Sequence, residues 1–337
     1  MSQNRAAWLP VKMAKPFKID EAPMPSPEPD QVVIRVRAVA MNPADAVLQN
    51  AGAIYENYPI IPGCDVSGEI VELGADVKGW AKGDRVIAPL VYGAFQLYCA
   101  VDSSFMAKIP DSVAFKNGVV LPLPFATATV SLYEEDMLNL DRPQAPYAPP
   151  NGKVLIVWGG SSAVGSGGIQ LARASGYEVA TLCSPRNSDY CKKLGAKYVF
   201  DYNNENVVDD IVKELKGQDS AGVLCAIIGE GVVRKSALIA KGLGGDQVVA
   251  VMYPPGMPVP DEIPDGVGIK QCWKSFFDKS PAAKQVFSEW LPAALEQGNM
   301  KCQPDPDVVG QGLESIQEAV DRMSQGVSAK KLVVELP

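Results

Sequence analysis

Histidine is missing altogether from the 337 residues. That one absence removes the most frequent catalytic zinc ligand, the most frequent general base and the serine–histidine relay of triad hydrolases. No apolar stretch reaches the roughly 20 residues that span a bilayer, and the opening residues MSQNR carry no signal-peptide core. Cysteines at C-x-x-C spacing are lacking too. The seven present are scattered and odd in number, which fits a reducing compartment and small buried hydrophobes. No long basic run offsets the net charge of −8, which argues against a nucleic-acid surface. Together these absences predict a cytoplasmic protein with neither a membrane span nor a nucleic-acid partner.

What is present reads as two domains. The length exceeds what one core usually organises, and 47% hydrophobic with 21% charged residues supports packed cores rather than disorder. Residues 1–120 read mainly as strands and turns. Gln31–Ala40 alternates as a half-buried strand does, and Val66–Leu73, Gly83–Pro89, Phe95–Val101 and Ala107–Pro110 continue the pattern. Pro23, Pro25, Pro27 and Pro29 predict a rigid extended connector. A helix is predicted over Phe125–Asn139, then a proline-rich loop over Pro143–Pro150. Alternating strand–helix units follow, with strands near Val154, Glu178, Tyr198, Val223 and Val248, so a parallel sheet with right-handed crossovers is expected. Helices over Ala282–Gln297 and Leu313–Gln325 precede a closing strand over Lys331–Leu336.

The most informative run is Lys153–Trp158 followed by Gly159-Gly-Ser-Ser-Ala-Val-Gly165. A buried parallel strand leads there into a tight turn and a helix opening near Ser162, whose N–H groups suit a pyrophosphate. Gly160 and Gly165 hold the outer positions of a G-x-G-x-x-G pattern, and Ser162 replaces the middle glycine. In such folds an acidic residue about 20 positions on takes the ribose 2′-hydroxyl of NAD. Ser184-Pro-Arg-Asn187 stands there instead, and a hydroxyl with a guanidinium suits a 2′-phosphate. The pattern favours NADPH, with a solvated surface arginine as the plainer reading of Arg186.

Over essentially the whole chain the residues resemble the medium-chain dehydrogenase/reductase superfamily. The resemblance rests on Pro62–Gly74 (PGCDVSGEIVELG), Val77, Gly79, Gly83–Val86 (GDRV), Gly93–Tyr98 (GAFQLY), the glycine turn, and Leu194-Gly-Ala196 before Tyr198–Tyr202. It implies an α/β fold: a GroES-like, β-rich catalytic domain (residues 1–122 and 277–337, the C-terminal segment returning to it) plus a Rossmann doubly wound parallel-sheet domain (123–276) that binds NADPH. It also implies the zinc-free branch. Zinc members place a cysteine where Asn42-Pro-Ala-Asp45 begins and a histidine where Cys64 stands, so no metal site is expected. The N-P-A-D form is similar to quinone reductases of the zeta-crystallin type. Pro122–Tyr133, Ser184–Asn187, Trp290-Leu-Pro292 and Gly326–Lys330 look closer to fungal zinc-free reductases, among them trans-acting enoyl reductases.

The implied activity is hydride transfer from NADPH to the C=C bond of an α,β-unsaturated carbonyl, on a small-molecule or acyl-carrier-bound hydrophobic substrate. The alternatives are an NADPH quinone reductase and a catalytically silent NADPH-binding accessory protein. The resemblance places Asn42 and Asp45 near the nicotinamide ribose. It places Gly160, Ser161, Ser162, Ala163, Val164 and Gly165 at the pyrophosphate, and Ser184, Arg186 and Asn187 at the 2′-phosphate. Tyr202 would flank the adenosine phosphate, Ile228, Gly229 and Met252 would shape the nicotinamide pocket, and Val327, Ser328 and Lys330 would reach the cofactor from the tail. Thr127 and Thr129 hydrogen-bond cofactor or substrate, or merely serve their helix. The tyrosine acid of mitochondrial enoyl reductases falls on Gly52; Tyr55 and Tyr58 lie nearby, as substitutes or as loop aromatics. A monomer or homodimer is expected.

Overall fold

The computed structural model describes residues 3–245, 247–252, 258–259, 262–272 and 280–337. The chain divides into two compact units, Met1–Leu123 with Lys301–Pro337, and Pro124–Met300. Among the described residues no helix is long and apolar enough to cross a membrane.

The first unit is built on a seven-stranded sheet. Its order runs Pro306–Gln311, Lys331–Glu335, Gln31–Ala40, Asp65–Leu73, Arg85–Pro89, Ala107–Lys108, with Tyr98–Asp102 also pairing Gln31–Ala40. The alternation in Gln31–Ala40 explains its central place: Val32, Ile34, Val36 and Val39 are buried in one apolar core with Val66, Ile70, Val86, Leu332 and Val334. All its ladders are antiparallel except the one between Pro306–Gln311 and Lys331–Glu335. Three strand ends meet at one point. Ala40 pairs with Asp65 on one side and with Val333 on the other, so residues 42, 65 and 331 are neighbours although far apart in sequence.

Helices interrupt the expected strands and turns of this unit, the short Phe115–Gly118 and a longer one. Pro43–Ala51 is a helix, with proline in its first turn, where a missing N–H costs nothing. It ends at Gly52, whose φ of 58° lies in the left-handed region and whose N–H donates to the Leu48 carbonyl. A Cβ added there would fall 2.2 Å from the Lys12 side chain. The position aligned with an enoyl-reductase tyrosine is thus occupied by a helix cap that favours glycine.

The second unit carries the expected parallel sheet, in the order Tyr198–Asp201, Glu178–Cys183, Lys153–Trp158, Asp219–Cys225, Val248–Val251, Gly268–Gln271. Every ladder in it is parallel. The chain starts in the middle with Lys153–Trp158, adds two strands on one side, then crosses to the other. This order creates a switch point at the carboxyl ends of Lys153–Trp158 and Asp219–Cys225, where doubly wound folds bind their ligands.

Two segments depart from expectation. The helix predicted to run to Asn139 spans Pro122–Tyr133; the chain then folds back, with Leu138 and Leu140 donating to the carbonyls of Ser131 and Leu132. The expected domain boundary at 276/277 lies outside the described residues. Past it, the described residues 280–300 belong to the second unit rather than the first. Aromatic packing explains this: the Phe125 ring meets Phe287 at 6.0 Å and stacks on Trp290 at 6.4 Å, and the Tyr147 hydroxyl donates to the Asn299 carbonyl.

Candidate active site

In the first unit the converging strand ends hold a buried polar cluster. The Lys331 ammonium stands 2.6 Å from Asn42 Oδ1 and 3.1 Å from Asp65 Oδ2. Asn42 Nδ2 donates to the same Asp65 oxygen at 2.8 Å, and Asp65 Oδ1 accepts the Leu123 N–H at 2.7 Å. The Asn42 N–H donates to Asp45 Oδ2 at 2.8 Å. Asn42, Asp45, Asp65 and Lys331 are all at least 95% buried. Asn42 and Asp45 thus face one network, and both polar atoms of the Asn42 amide are committed within it. Burial pushes the Asp45 carboxyl up to about 7, with the Asp65 charge adding to the shift. Burial, reinforced by Asp45 and Asp65, also holds the Cys64 thiol well above its usual range.

Beside the cluster lies the loop after Gly52. The Tyr55 hydroxyl donates to the Val91 carbonyl at 2.9 Å, and the Cys64 thiol points at the same oxygen at 3.4 Å. Burial raises the Tyr55 phenol above its ordinary value, so it stays protonated. The Tyr58 hydroxyl donates to the Tyr55 carbonyl at 3.3 Å. Both expected tyrosines therefore hold loop backbone in this structure. From the tail segment, Val327 packs on the core of this unit, and Lys330 pairs with Asp305 at 3.3 Å.

In the second unit the glycine turn follows strand Lys153–Trp158 and opens helix Ala163–Ala174. Ser162 is the helix cap, its hydroxyl accepting the Gly165 N–H at 3.0 Å. The glycines are required by crowding. A Cβ at Gly160 would meet Thr181 Oγ1 at 2.0 Å, and one at Gly165 would meet the Gly159 carbonyl at 2.2 Å. The turn therefore lies against its neighbours with backbone rather than side chains, and the first-turn N–H groups of Ala163 and Val164 belong to the dipole's positive end.

The next strand, Glu178–Cys183, leads to Ser184–Asn187. Asn187 Nδ2 donates to Ser161 Oγ at 3.0 Å and to Ser184 Oγ at 3.1 Å, so one amide ties the glycine turn to the loop after the second strand. Arg186 is exposed beside them. None of Ser184, Pro185, Arg186 and Asn187 is acidic, and the loop offers hydroxyl, guanidinium and amide donors. Tyr202 follows the edge strand Tyr198–Asp201 and is 37% exposed. Ile228 and Gly229 follow Asp219–Cys225, with Ile228 exposed, and Met252 follows Val248–Val251. These positions all sit at carboxyl ends of the parallel strands. The two threonines do not stand alike: Thr129 is fully buried and its hydroxyl donates to the Phe125 carbonyl of its own helix, whereas Thr127 is partly exposed.

Sequence reasoning missed Asp65 and Lys331. Asp65 lay inside the PGCD signature, and its acidic side chain at a strand start was the one available signal. Lys331 reads as an ordinary strand-opening lysine.

Comparison with known proteins agrees with this arrangement. Residues 28–111 match the Alcohol dehydrogenase GroES-like domain, and residues 163–273 match the Zinc-binding dehydrogenase domain. A Monascus ruber protein described as dehydrogenase pigH is 38% identical, with all of both chains covered. Trans-enoyl reductase himH of Aspergillus japonicus is 35% identical over 99% of this chain and 97% of its own. The CurK enoyl reductase crystal structure superposes with a TM-score of 0.81 at 20% identity, covering both chains completely, and so shares the fold.

Zinc appears in the name of one matching family, and the residues at the corresponding place here do not fit that ion. Asn42 offers an amide already bonded on both sides, Cys64 is held as a neutral thiol, and an ammonium occupies the neighbouring space. Thiolate, imidazole or free carboxylate ligands are what zinc needs. With its two domains matched in order and its full length aligned, the chain belongs to the medium-chain dehydrogenase/reductase superfamily, in the zinc-free branch, and is an oxidoreductase.

Proposed function

We propose that this protein is an NADPH-dependent, zinc-independent reductase of the C=C bond in α,β-unsaturated carbonyl compounds. The observation that carries the cofactor choice is the Ser161–Asn187–Ser184 tie with Arg186 beside it and no carboxylate in the loop. The full-length likeness to a protein described as a trans-enoyl reductase supports the reaction class. The Gly160–Gly165 turn would hold the pyrophosphate, and Ser184, Arg186 and Asn187 the 2′-phosphate. Tyr202, Ile228, Gly229, Met252 and the tail residues Val327, Ser328 and Lys330 are proposed to border the rest of the cofactor.

Held by the Gly160–Gly165 turn and by Ser184, Arg186 and Asn187, NADPH would supply the hydride equivalent for reduction at the acceptor's β-carbon. What this chain contributes is binding, orientation and a proton balance. The α-carbon must take a proton as the enolate collapses, and among the described residues the Tyr55 and Tyr58 hydroxyls are both spent on loop carbonyls. The Tyr55 hydroxyl is engaged with Val91, and its raised phenol makes it a weaker acid. Solvent water then completes the reduction. Incubation with NADPH and a panel of enones, enoyl thioesters and quinones should consume cofactor with the enones or enoyl thioesters and yield saturated products. A quinol as the only reduced product would assign a quinone reductase instead, and tight NADPH binding without turnover across the panel would overturn the enzymatic reading.

A further inference from the structure

Two thiols meet behind the Ser184–Asn187 loop. Cys183 is the last residue of strand Glu178–Cys183, and Cys191 lies in the helix Ser188–Leu194 that follows the loop. Both residues are buried, at 1% and 0% exposure, and the Cys191 S–H donates to the Cys183 sulfur. That hydrogen bond lowers the Cys183 thiol below its usual range, against the opposing effect of burial. It raises the Cys191 thiol, and burial adds to the rise. Cys183 is thus the thiol of the pair that ionises first, with a protonated partner in contact.

The pair brackets the loop. Ser184, Arg186 and Asn187 all lie between the two cysteines, inside the ring that a Cys183–Cys191 bond would close. The helix carrying Cys191 is also tied to the glycine turn. The Tyr190 and Ser166 hydroxyls are 2.8 Å apart, and Ser166 donates to the Ser162 carbonyl at 2.7 Å. From the loop, Asn187 reaches Ser161 at 3.0 Å and Ser184 at 3.1 Å. A covalent bond draws two sulfurs inside their hydrogen-bond contact, so the helix must shift against the strand, and a close-packed interior passes that shift to both ties.

We propose that Cys183 and Cys191 form a reversible disulfide on exposure to a hydroperoxide, and that this bond weakens nucleotide binding by distorting the loop between them. The inference rests on the cofactor reading above and adds a control to that site. With hydrogen peroxide as oxidant, the Cys183 thiolate attacks one peroxide oxygen and the O–O bond breaks. The departing hydroxide takes up the proton that the thiol released, giving water and a sulfenic acid. The Cys191 sulfur then displaces the sulfenic hydroxyl, which leaves with the Cys191 proton as a second water. Two sulfurs are oxidised and two peroxide oxygens are reduced, and a dithiol reductant reverses the bond by exchange. Peroxide reaches the buried sulfurs only when the loop opens locally, and a bound nucleotide would hold it closed.

The test uses the intact protein, hydrogen peroxide and trypsin. Cleavage after Arg186 and Lys192 places the cysteines on separate peptides, Ala174–Arg186 and Asn187–Lys192, so a linked pair in mass spectrometry reports the bond. Peroxide should produce it, saturating NADP⁺ should slow it, and dithiothreitol should remove it. With the peroxide washed out, the oxidised protein should bind NADPH about tenfold more weakly in calorimetry, the scale of one lost charge-assisted hydrogen bond, and dithiothreitol should restore binding. Cys191→Ser and Cys191→Ala should keep their NADPH affinity through the same treatment. Absence of the linked peptides, unchanged affinity once they are present, equal linking with and without NADP⁺, or a loss of affinity that persists in the Cys191 variants would each overturn the proposal. The two readings fail separately. NADPH uptake by the reduced protein without linked peptides removes the dithiol switch alone. Linked peptides in a protein that takes up no NADPH when reduced remove the cofactor reading and leave a peroxide-sensitive dithiol.

Discussion

Lys331 and Asp65 form an ion pair at 3.1 Å with side-chain exposures of only 5% and 0%. Two charges removed from water to this degree are held by each other and by Asn42, and removing one partner leaves the other uncompensated. Lys331→Met should therefore destabilise the protein by about 3–5 kcal/mol in chemical denaturation. Adding Asp65→Asn to that variant should recover part of the loss, because the stranded charge goes too. Equal stability of Lys331→Met and the native chain would show that the pair is not buried as described.

Asp45 makes stability depend on pH in the direction opposite to an ordinary salt-bridged carboxylate. Its carboxyl is raised from 3.8 to about 7 by burial, so the folded state binds a proton more readily than the unfolded state. Stability then falls as pH rises from about 4 through 7, and the full penalty is present above that range. Asp45→Asn keeps an oxygen for the Asn42 N–H and abolishes the titration. Relative to the native protein, the variant should gain stability between pH 5 and pH 8, by an amount on the order of a few kcal/mol. Thermal melts of both proteins across that range would show parallel curves if the carboxyl titrated normally.

Arg186→Glu should discriminate between the two nicotinamide cofactors. Placing a negative charge beside Ser184 and Asn187 would weaken NADPH by about tenfold or more, the scale of a lost charge-assisted hydrogen bond, and leave NADH nearly unaffected. Calorimetric titration with each cofactor measures both. Equal weakening would remove Arg186 from the 2′-phosphate.

Gly165→Ala should damage the nucleotide turn even though alanine is a better helix former than glycine. The new Cβ would lie 2.2 Å from the Gly159 carbonyl, a backbone atom that cannot swing aside. A loss of about 1–3 kcal/mol in stability is expected from such overpacking, together with loss of cofactor binding. Unchanged binding would mean that the turn is not the phosphate cradle.

Activity should survive exhaustive chelation and gain nothing from added zinc. The reason is local: the ammonium of Lys331 already supplies the positive charge next to Asp65. Loss of turnover with a chelator, restored by Zn²⁺, would contradict this.

The parallel sheet and the glycine turn were legible because their signals are local. Apolar runs, a glycine-rich turn and the absence of an acidic residue after Cys183 all lie within one strand–helix–strand unit. The buried cluster was not legible in the same way. Asn42 and Asp45 could be named from their motif, but nothing local says that Lys331 turns inward; that follows only from Val333 pairing with Ala40. The helix Pro43–Ala51 was hidden by its opening proline, which reads as a loop until the following residues are seen to pack. Likewise the attachment of residues 280–300 depends on Phe287 and Trp290 finding Phe125, a contact no periodicity announces.

The pairing of residue 40 with residue 333 also bears on biogenesis. Ribosomes release the N-terminal end first, and domains generally fold as units while synthesis proceeds. Until Lys331–Glu335 emerges, the Ala38–Ala40 end of Gln31–Ala40 lacks one flanking partner and Asp65 lacks its counter-ion, while the whole intervening unit is translated. The first sheet is therefore completed only after the second unit has been made, and until then the short Ala38–Ala40 edge stays open.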